Sequence, residues 1–250
     1  MDTDPRFRAL LPAPSAEVDL AALYAYPAGL DRPWVRCNMV SSADGGAWGP
    51  SGRTAELSSP ADRRVMGVLR GLCDVVLAGA ATARIEGYRP VRPREVWSLL
   101  REGRPATPSV AVVTRTLDVH PDLLAAAPED APTLLFTTAS APEERVRDAR
   151  EAGAEVVVAG DGASVDPAAV VRALAERGLY RVLCEGGPHL LAEFAAAGLL
   201  DELCLTTSPH LLGPAPSRIV AGDAPSHRED LRLEHLLESE GALFARYTRV

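Results

Sequence analysis

The stretch Val182–Leu191, VLCEGGPHLL, places an acid, two glycines and a proline at the end of an apolar run. The run before Glu185 predicts a buried strand, and the apolar residues after Pro188 recur with helical spacing. Proline is favoured at the first position of a helix. A strand that passes through a glycine turn into a helix leaves backbone N–H groups pointing outwards, and such groups bind phosphate. The same residues could instead form a compact turn that binds nothing.

A second stretch of the chain has the same construction. Gly79-Ala80-Ala81-Thr82 follows directly after the apolar run Asp74–Ala78, and it predicts another strand, small-residue turn and helix start. Glu185 lies at the carboxyl end of its own strand, where open α/β sheets place their ligands. These residues together indicate a site for an anionic ligand beside a carboxylate.

The overall composition limits the class of protein. The 250 residues, 47% apolar and 24% charged, are typical of a globular protein with a sizeable core, in one domain or two small ones. The net charge of −8 argues against nucleic acid as the main partner, although an acidic protein can still contain a local basic pocket. No apolar run reaches membrane-spanning length, and the N-terminus lacks the apolar segment of a signal peptide. We therefore expect a cytoplasmic protein without a membrane partner.

The cysteines and histidines do not form a metal-binding pattern. Cys37, Cys73, Cys184 and Cys204 lie in or beside strand-like runs without CxxC or CxH spacing, which predicts buried, reduced thiols. The five histidines are scattered without HxxxH or HxE spacing, so no metal site is expected. The absence of an HxE…PCxxC pair excludes zinc-dependent deaminase chemistry.

A sheet must position the candidate residues. Strand-like and helical runs alternate along the chain, and the last two runs, Leu231–Leu237 and Ala242–Val250, have the pattern of an antiparallel hairpin. This order predicts an α/β fold with a mixed, mostly parallel central sheet, helices on both faces and the C-terminal hairpin at an edge. We expect residues 1–32 to form an N-terminal extension over the surface and residues 33–250 to form one domain. The other expected strands are Trp34–Ser42, Asp74–Ala78, Ser109–Val113, Thr133–Thr137, Glu155–Ala159, Tyr180–Cys184 and Glu202–Thr207, and the main expected helices begin at Pro60, Pro142, Pro167 and Pro188.

Several motifs, in order along the chain, resemble the reductase domain of riboflavin biosynthesis, the C-terminal domain of the bifunctional pyrimidine deaminase/reductase. They are NMVSSADG, SSPADRRVMGVLR, DVVLAGAATARIEGY, CEGGPHLL and SPHLLG. The resemblance implies a dihydrofolate reductase-like fold in the stand-alone form, without the deaminase half. It also implies NADPH-dependent reduction of a phosphoribosylamino-pyrimidine, with hydride transfer to C1′ of the ribosyl group to give the ribitylamino product. The implied substrate is 5-amino-6-(5-phosphoribosylamino)uracil or its diamino-pyrimidinone precursor, and the implied assembly is a homodimer.

The same resemblance implies roles for individual residues. Asp44 would position the sugar or relay a proton. Ser42, Glu185 and Arg70 would contact the substrate, with Arg70 as a clamp on its phosphate. The cofactor would be held by both turns and the neighbouring strand ends. These cofactor residues are Val40, Gly79, Thr82, Glu86, Gly186, Gly187, Pro188, His189, Leu190 and Leu191, with Thr114 and Arg115 at the adenosine 2′-phosphate.

Each of the main candidates also has a plainer interpretation. Asp44 could be a turn residue, because aspartate is favoured before glycines in turns. Arg70 could be a solvated charge at the end of a helix, where it would complement the helix dipole. Thr82 could only cap a helix, and Glu185 could pair with a surface arginine. The sequence by itself leaves these alternatives open.

The chain departs from the family pattern in the loops. The usual tryptophan after the first turn is missing, and Thr54–Ser58 occupies its place. GAATA lacks the second glycine of the family turn, and Glu86-Gly87-Tyr88 replaces an Asp-Pro pair. Two alternative functions therefore stay open: a dihydrofolate or other pterin reductase on the same fold, and a non-catalytic NADPH-binding sensor or scaffold.

Overall fold

A computed structural model describes residues 5–124, 127–214, 217–222 and 228–250. Residues 1–4 of the expected N-terminal extension, and residues 215–216 of the turn expected after Thr207, lie outside this part. The strands are β1 Arg8–Leu11, β2 Trp34–Ser42, β3 Val75–Gly79, β4 Ser109–Val113, β5 Thr133–Thr137, β6 Glu155–Val158, β7 Arg181–Cys184, β8 Glu202–Ser208, β9 Leu231–Ser239 and β10 Ala242–Arg249. The α-helices are α1 Leu20–Leu23, α2 Pro60–Leu72, α3 Ala80–Ile85, α4 Glu143–Glu151, α5 Pro167–Glu176 and α6 Pro188–Ala196, and short 3₁₀ turns span Thr54–Glu56, Glu95–Trp97 and Pro121–Leu124.

All of these strands belong to one sheet, in the order β1-β9-β10-β8-β2-β7-β3-β4-β5-β6. The pairings from β8 across to β6 are parallel, whereas β1, β9 and β10 pair antiparallel with one another and with β8. This confirms the predicted fold class, including the C-terminal hairpin. Because β2, β7 and β3 are parallel neighbours, their carboxyl ends meet at one edge, which brings the two predicted turns together.

The burial patterns of β5 and β8 agree with the places of these strands in the sheet. β5 is buried along its whole length, as expected for a parallel strand covered by helices on both faces. β8 alternates between buried and half-buried residues, as expected for a strand with one better-covered face. One apolar cluster of the core contains side chains from α5 and α6. A second cluster contains side chains from α2, the N-terminal segment and the C-terminal hairpin. Helix α2 begins as predicted, with the Ser59 side chain accepting from the Asp62 N–H and Pro60 in the first turn.

The N-terminal segment contains a strand that the sequence did not predict. β1 pairs antiparallel with β9, with Arg8 opposite Glu238 and Ala9 opposite Leu237. The Phe7 ring packs edge-on against Phe244, with ring centroids 5.4 Å apart. Four residues are too few for a recognisable alternation, and the partner strand is more than 200 residues away in the sequence, so no local pattern predicts this pairing.

A buried ionic cluster fastens the N-terminal segment to the sheet. Arg36 and Glu202 are fully buried, and the Arg36 Nε lies 2.6 Å from the Glu202 Oε1. Arg246 donates to the same carboxylate at 2.8 Å and to the Leu23 carbonyl at 2.9 Å. Arg36 also donates to the Tyr24 carbonyl at 2.7 Å. Burial would raise the pKa of Glu202, but the two guanidinium groups outweigh it and hold this pKa below its usual value.

His235 lies in the hairpin close to this cluster. It is 2% exposed, and its Nε2 has no hydrogen-bond partner among the described residues. Its ring packs edge-on against Tyr24, with centroids 4.8 Å apart. Burial and then the nearby charge of Arg246 lower its pKa to about 4; Glu202 opposes them, and Arg36 adds a smaller lowering effect.

The stability of the protein is therefore expected to depend on pH through His235. Between about pH 6.5 and about pH 4 the unfolded chain binds a proton on this histidine and the folded chain does not, so the free energy of unfolding falls as the pH falls. The loss attributable to this group is at most about 3 kcal/mol. Urea unfolding of His235→Leu and of the unsubstituted protein across this range measures the effect. Equal pH dependences would show that His235 does not contribute.

Candidate active site

A cleft of about 830 Å³ opens beside the carboxyl ends of β2, β7 and β3. This volume is within the range of small-molecule sites. Met39 and Val40 of β2 form part of its wall, and α2 contributes residues from Asp62 to Arg70. The remaining wall comes from the segment after α3, which includes Tyr88. Val40, expected at the cofactor, therefore lies in the cleft.

The two strand–turn–helix junctions are in direct contact. The Gly79 N–H donates to the Gly186 carbonyl at 2.8 Å, which joins the turn after β3 to the turn after β7. A Cβ atom at Gly187 would lie 2.5 Å from the Thr82 Oγ1, so no side chain fits there without displacing Thr82. Gly186 has a φ of +84°, in the region that favours glycine. Gly187 is thus required by the close approach of the two junctions, and Gly186 by its own backbone conformation.

The start of α6 offers backbone donors rather than side chains. Gly187 caps the helix without a side-chain hydrogen bond, and Pro188 takes the first helical position. The first N–H groups of an α-helix have no partner within the helix, which applies here to His189 and Leu190. The Leu190 and Leu191 side chains are buried in the core. A dinucleotide pyrophosphate would fit these residues, since it needs amide donors and a turn without side chains.

Glu185 is held by two neighbours at the cleft. Arg70 donates from Nε to Oε1 at 2.7 Å and from Nη2 to Oε2 at 2.6 Å, and the Tyr88 hydroxyl also donates to Oε2. The Glu185 side chain is 6% exposed and that of Arg70 26% exposed. Burial would raise the pKa of Glu185, but the charge and hydrogen bonds of Arg70, with the hydrogen bond from Tyr88, hold this pKa below its usual value. Glu185 is therefore an ionised acceptor whose Oε1 has room for one more donor.

This geometry changes the expectation for Arg70. The sequence placed Arg70 at the substrate phosphate, or alternatively in solvent. The structure instead pairs its Nε and Nη2 with Glu185, a residue 115 positions away. Both residues line the cleft, so the pair belongs to the candidate site. The signal that sequence reasoning missed is Tyr88, which belongs to the departure Glu86-Gly87-Tyr88 from the family pattern and contacts the same carboxylate.

Asp44 and Ser42 lie at the edge of the site, and neither lines the cleft. The Ser42 hydroxyl donates to the Asp44 carboxylate at 2.5 Å, and the Gly213 N–H donates to it at 2.9 Å. Asp44 is exposed, and these bonds from Ser42 and Gly213 lower its pKa. The Ala43 N–H also donates to the His210 carbonyl. Asp44 therefore joins the loop after β2 to the loop after β8.

Three further cofactor candidates have defined partners or positions. Glu86 lines the cleft and accepts from the N–H and the hydroxyl of Thr54, each at 3.0 Å. Thr114 is buried, and its hydroxyl accepts from the Leu117 N–H at 3.0 Å, so this hydroxyl stabilises the turn after β4. Arg115 follows it with an exposed side chain. The Thr114 hydroxyl is thus already engaged, whereas the exposed Arg115 guanidinium can bind a ligand.

Arginines dominate the charge of the cleft wall. Arg63, Arg89, Arg92 and Arg94 line it in addition to Arg70. Arg89 pairs with Asp122 at 2.5 Å, and the Arg94 guanidinium lies over the Trp97 ring at 5.5 Å. Arg92 forms no hydrogen bond or ion pair within the described ranges. The wall thus presents several guanidinium groups that a phosphate could bind.

The arginine-rich segment of residues 88–108 is fixed to the end of α2. Arg101 donates to the Cys73 carbonyl at 2.5 Å and Arg104 to the Leu72 carbonyl at 2.8 Å, so both cap the last turn of the helix. The Trp97 Nε1 donates to the Gly67 carbonyl at 3.0 Å. The sequence did not predict that this segment forms a wall of the site.

In the part of the chain that the structure covers, no three His, Cys, Asp or Glu side chains come close enough to hold a metal ion. None of the described helices is long and apolar enough to cross a membrane. All four cysteines are free and buried, as predicted.

Comparison with known proteins gives consistent matches. The family model described as the RibD C-terminal domain matches residues 33–241. The 2,5-diamino-6-ribosylamino-4(3H)-pyrimidinone 5′-phosphate reductase of Methanothermobacter thermautotrophicus is 31% identical over 205 residues, which cover 81% of this chain and 91% of that protein. The reductase of the same name from Archaeoglobus fulgidus is 29% identical, with 87% of this chain and 100% of that protein covered. A crystal structure of a pyrimidine reductase-like protein from Corynebacterium diphtheriae has a TM-score of 0.81 and 28% identity, and covers 93% of this chain and 99% of that one. The resemblance inferred from the motifs is confirmed.

Proposed function

Because the chain belongs to the RibD C-terminal domain family, we propose that it reduces a phosphoribosylamino-pyrimidine at C1′ of the ribosyl group with NADPH. The substrate is 2,5-diamino-6-ribosylamino-4(3H)-pyrimidinone 5′-phosphate or 5-amino-6-(5-phosphoribosylamino)uracil, and the product carries a ribitylamino group. The observation that carries this proposal is the carboxylate of Glu185. Arg70 and Tyr88 fix it in an arginine-lined cleft, beside two glycine turns suited to a dinucleotide.

The residues of the two junctions fit the cofactor. NADPH supplies a hydride from its nicotinamide ring. The N–H groups of His189 and Leu190 and the hydroxyl of Thr82 would hold its pyrophosphate, and the exposed guanidinium of Arg115 would favour a 2′-phosphate. Val40 would pack against it from the cleft wall. A carboxylate in place of Arg115 would disfavour NADPH relative to NADH.

The remaining cleft residues bind and orient the substrate. Glu185 accepts an N–H or O–H of the substrate at Oε1, because its other acceptor positions are taken by Arg70 and Tyr88. Arg63, Arg92 and Arg94 bind the 5′-phosphate from the cleft wall. Asp44 holds the two loops at the edge of the site in place. The substrate is thus fixed at both ends, as positioning for reaction requires.

Gly187→Ala is expected to weaken NADPH binding about tenfold or more, a loss of about 1.4 kcal/mol. The added Cβ would lie 2.5 Å from the Thr82 Oγ1 and would separate the two junctions. Fluorescence titration with NADPH measures the affinity, and thermal unfolding checks the fold. Gly162→Ala is the matched control, because nothing lies within 4 Å of a Cβ at that position. An unchanged affinity in Gly187→Ala would refute the proposed cofactor site.

Anaerobic mixing with NADPH and each candidate pyrimidine tests the proposed function. We expect NADPH oxidation with one of the two pyrimidines and none above background with dihydrofolate. Oxidation with dihydrofolate alone would favour a pterin reductase. NADPH binding without oxidation by any pyrimidine or pterin would favour a sensor or scaffold. The two archaeal reductases, of which this chain covers 91% and 100%, are named for a pyrimidinone substrate. This similarity supports a pyrimidine substrate over a pterin.

The expected setting of the enzyme is a homodimer in the cytoplasm. Free, buried thiols suit a reducing compartment. Sedimentation equilibrium of the purified protein measures the assembly. A monomer at all concentrations would remove the homodimer from the proposal without affecting the reaction.

A further inference from the structure

Reduction at C1′ with opening of the ribose ring consumes a proton as well as a hydride. The ring oxygen leaves C1′ and becomes a hydroxyl of the ribityl chain, so some group must supply this proton. The inference below rests on the proposed function. The carboxyl groups at or near the cleft are Asp44, Asp62, Glu86 and Glu185.

Two of these carboxyl groups are held in the ionised state. Burial raises the pKa of Glu185, but the charge and the two hydrogen bonds of Arg70, together with the hydrogen bond from Tyr88, outweigh this effect and stabilise the carboxylate. Asp44 is exposed and accepts from Ser42 and from backbone N–H groups, which lower its pKa. Groups that are stabilised as carboxylates accept hydrogen bonds and make poor proton donors. Glu86 accepts two hydrogen bonds from Thr54.

Asp62 has a different environment. It lies in the first turn of α2, lines the cleft and is 7% exposed. The Ser58 hydroxyl donates to its Oδ2 at 2.5 Å, and the Thr206 hydroxyl also hydrogen bonds to it. In the described part of the chain no cation lies within ion-pair distance of its carboxyl group. A buried carboxyl without a counter-charge keeps its proton to higher pH than an exposed one.

Two hydroxyl groups and one charge, that of Arg63, act on the carboxyl group of Asp62. Thr206 belongs to β8 and pairs in register with Val40 of β2, so the carboxyl faces the strands that form the cleft wall. Burial raises the pKa of Asp62, and the hydrogen bonds from Ser58 and Thr206 and the charge of Arg63 oppose this only in part. The other ionisable side chains that line the cleft are Arg70, Arg89, Arg92, Arg94, Glu86, Tyr88 and Glu185.

We propose that Asp62 is the general acid of this reductase. The C1′–O4′ bond breaks with its electron pair on oxygen, the hydride forms the new C1′–H bond, and the oxygen takes the proton of Asp62. Asp62 is left as a carboxylate and regains a proton from solvent, so the net reaction consumes one hydride and one proton. This separates the roles of the two buried carboxyl groups: Glu185 accepts a hydrogen bond, and Asp62 gives a proton.

Asp62→Asn tests the proposal, with Asp148→Asn on the exposed face of α4 as the matched control. Asparagine keeps the shape but carries no transferable proton, so kcat is expected to fall about 100-fold or more. The dissociation constant of the ribitylamino product is expected to change by less than about threefold, which is under 1 kcal/mol. Because the acid must be protonated, kcat of the unsubstituted enzyme is expected to fall as pH rises through the pKa of Asp62, and this limb should disappear in Asp62→Asn.

An infrared titration of the cofactor-free protein gives a readout without turnover. A carboxyl C=O band that persists to higher pH than for ordinary aspartates, and is missing from Asp62→Asn, is the expected result. Thr206→Val and Ser58→Ala keep Asp62 but remove a hydrogen bond that lowers its pKa, so the basic limb of kcat should move to higher pH. These variants also serve if Asp62→Asn does not fold.

Three results would overturn the assignment. Asp62→Asn could retain kcat with its basic limb. It could instead bind the product much more weakly at unchanged kcat, which would make Asp62 a binding residue. The infrared titration could show Asp62 ionised like an exposed aspartate. Failure of the unsubstituted protein to oxidise NADPH with either pyrimidine would instead count against the proposed function, while the infrared titration would still decide where Asp62 holds its proton.

Discussion

Glu202→Gln is expected to lower the free energy of unfolding by about 3–5 kcal/mol, because it removes one partner of a buried ion pair. Arg36 and Glu202 are both fully buried, and Arg246 is bound to the same carboxylate. Glutamine has no charge to balance the two guanidinium groups. Urea unfolding at neutral pH measures the loss. A loss of this size is a large fraction of the stability of a typical domain.

Two controls distinguish the loss of charge balance from the loss of packing. Glu155→Gln removes a more exposed ion pair with Arg177 and is expected to cost less than about 1 kcal/mol. The double variant Arg36→Met/Glu202→Leu removes the two fully buried charges together and should be less destabilised than Glu202→Gln, since only Arg246, whose side chain is 16% exposed, is then left without its partner. An equal loss in the double and the single variant would contradict this account of the cluster.

Glu185→Gln is expected to lower kcat/KM about 100-fold or more, which corresponds to about 2.7 kcal/mol of transition-state stabilisation. A glutamine amide has one oxygen, so it cannot accept both of the hydrogen bonds that Arg70 donates to the Glu185 carboxylate. The substitution also leaves the Arg70 guanidinium without a counter-charge beside the bound substrate. Steady-state kinetics with the active pyrimidine measure the loss. Glu193→Gln on the exposed side of α6 is the matched control and should behave like the unsubstituted enzyme.

The pH dependence of kcat/KM gives a sharper check on Glu185. Its pKa is held below its usual value, so the carboxylate persists from neutral pH to below the range in which an exposed glutamate protonates. Tyr88→Phe removes one of the hydrogen bonds that lower this pKa, and the acidic limb should therefore move to higher pH. If the acidic limb is the same in both proteins, Tyr88 does not help to hold the carboxylate.

The parts of the fold with a local signature could be predicted from the sequence. Ser59 and Pro60 mark the start of α2, and the glycines and Pro188 mark the junction before α6, because caps and turns are determined by neighbouring residues. The apolar run Thr133–Thr137 became a strand buried along its length. Parallel strands with helices between them then require the two junctions to share one edge of the sheet.

The contacts that join distant residues could not be predicted in this way. The sequence left open that Glu185 pairs with an arginine, but it did not identify Arg70, 115 positions away, as the partner in an ion pair between α2 and the turn after β7. Asp62 has the ordinary sequence position of an acid in a first helical turn, and only its burial in the folded protein distinguishes it. β1 was not predicted because its partner β9 lies near the other end of the chain. Such pairings depend on the tertiary fold and leave no periodic pattern.

The reaction proposed for this cleft is the transfer of a hydride from NADPH to C1′ of a phosphoribosylamino-pyrimidine. Mass spectrometry of the product formed with NADPH that carries deuterium at C4 of the nicotinamide tests it most directly. Each of the two C4 positions is labelled in turn. We expect one of the two labelled cofactors to give a ribitylamino product with a single deuterium, located at C1′. An unlabelled product from both cofactors, or bound NADPH that forms no ribitylamino product, would contradict the claim.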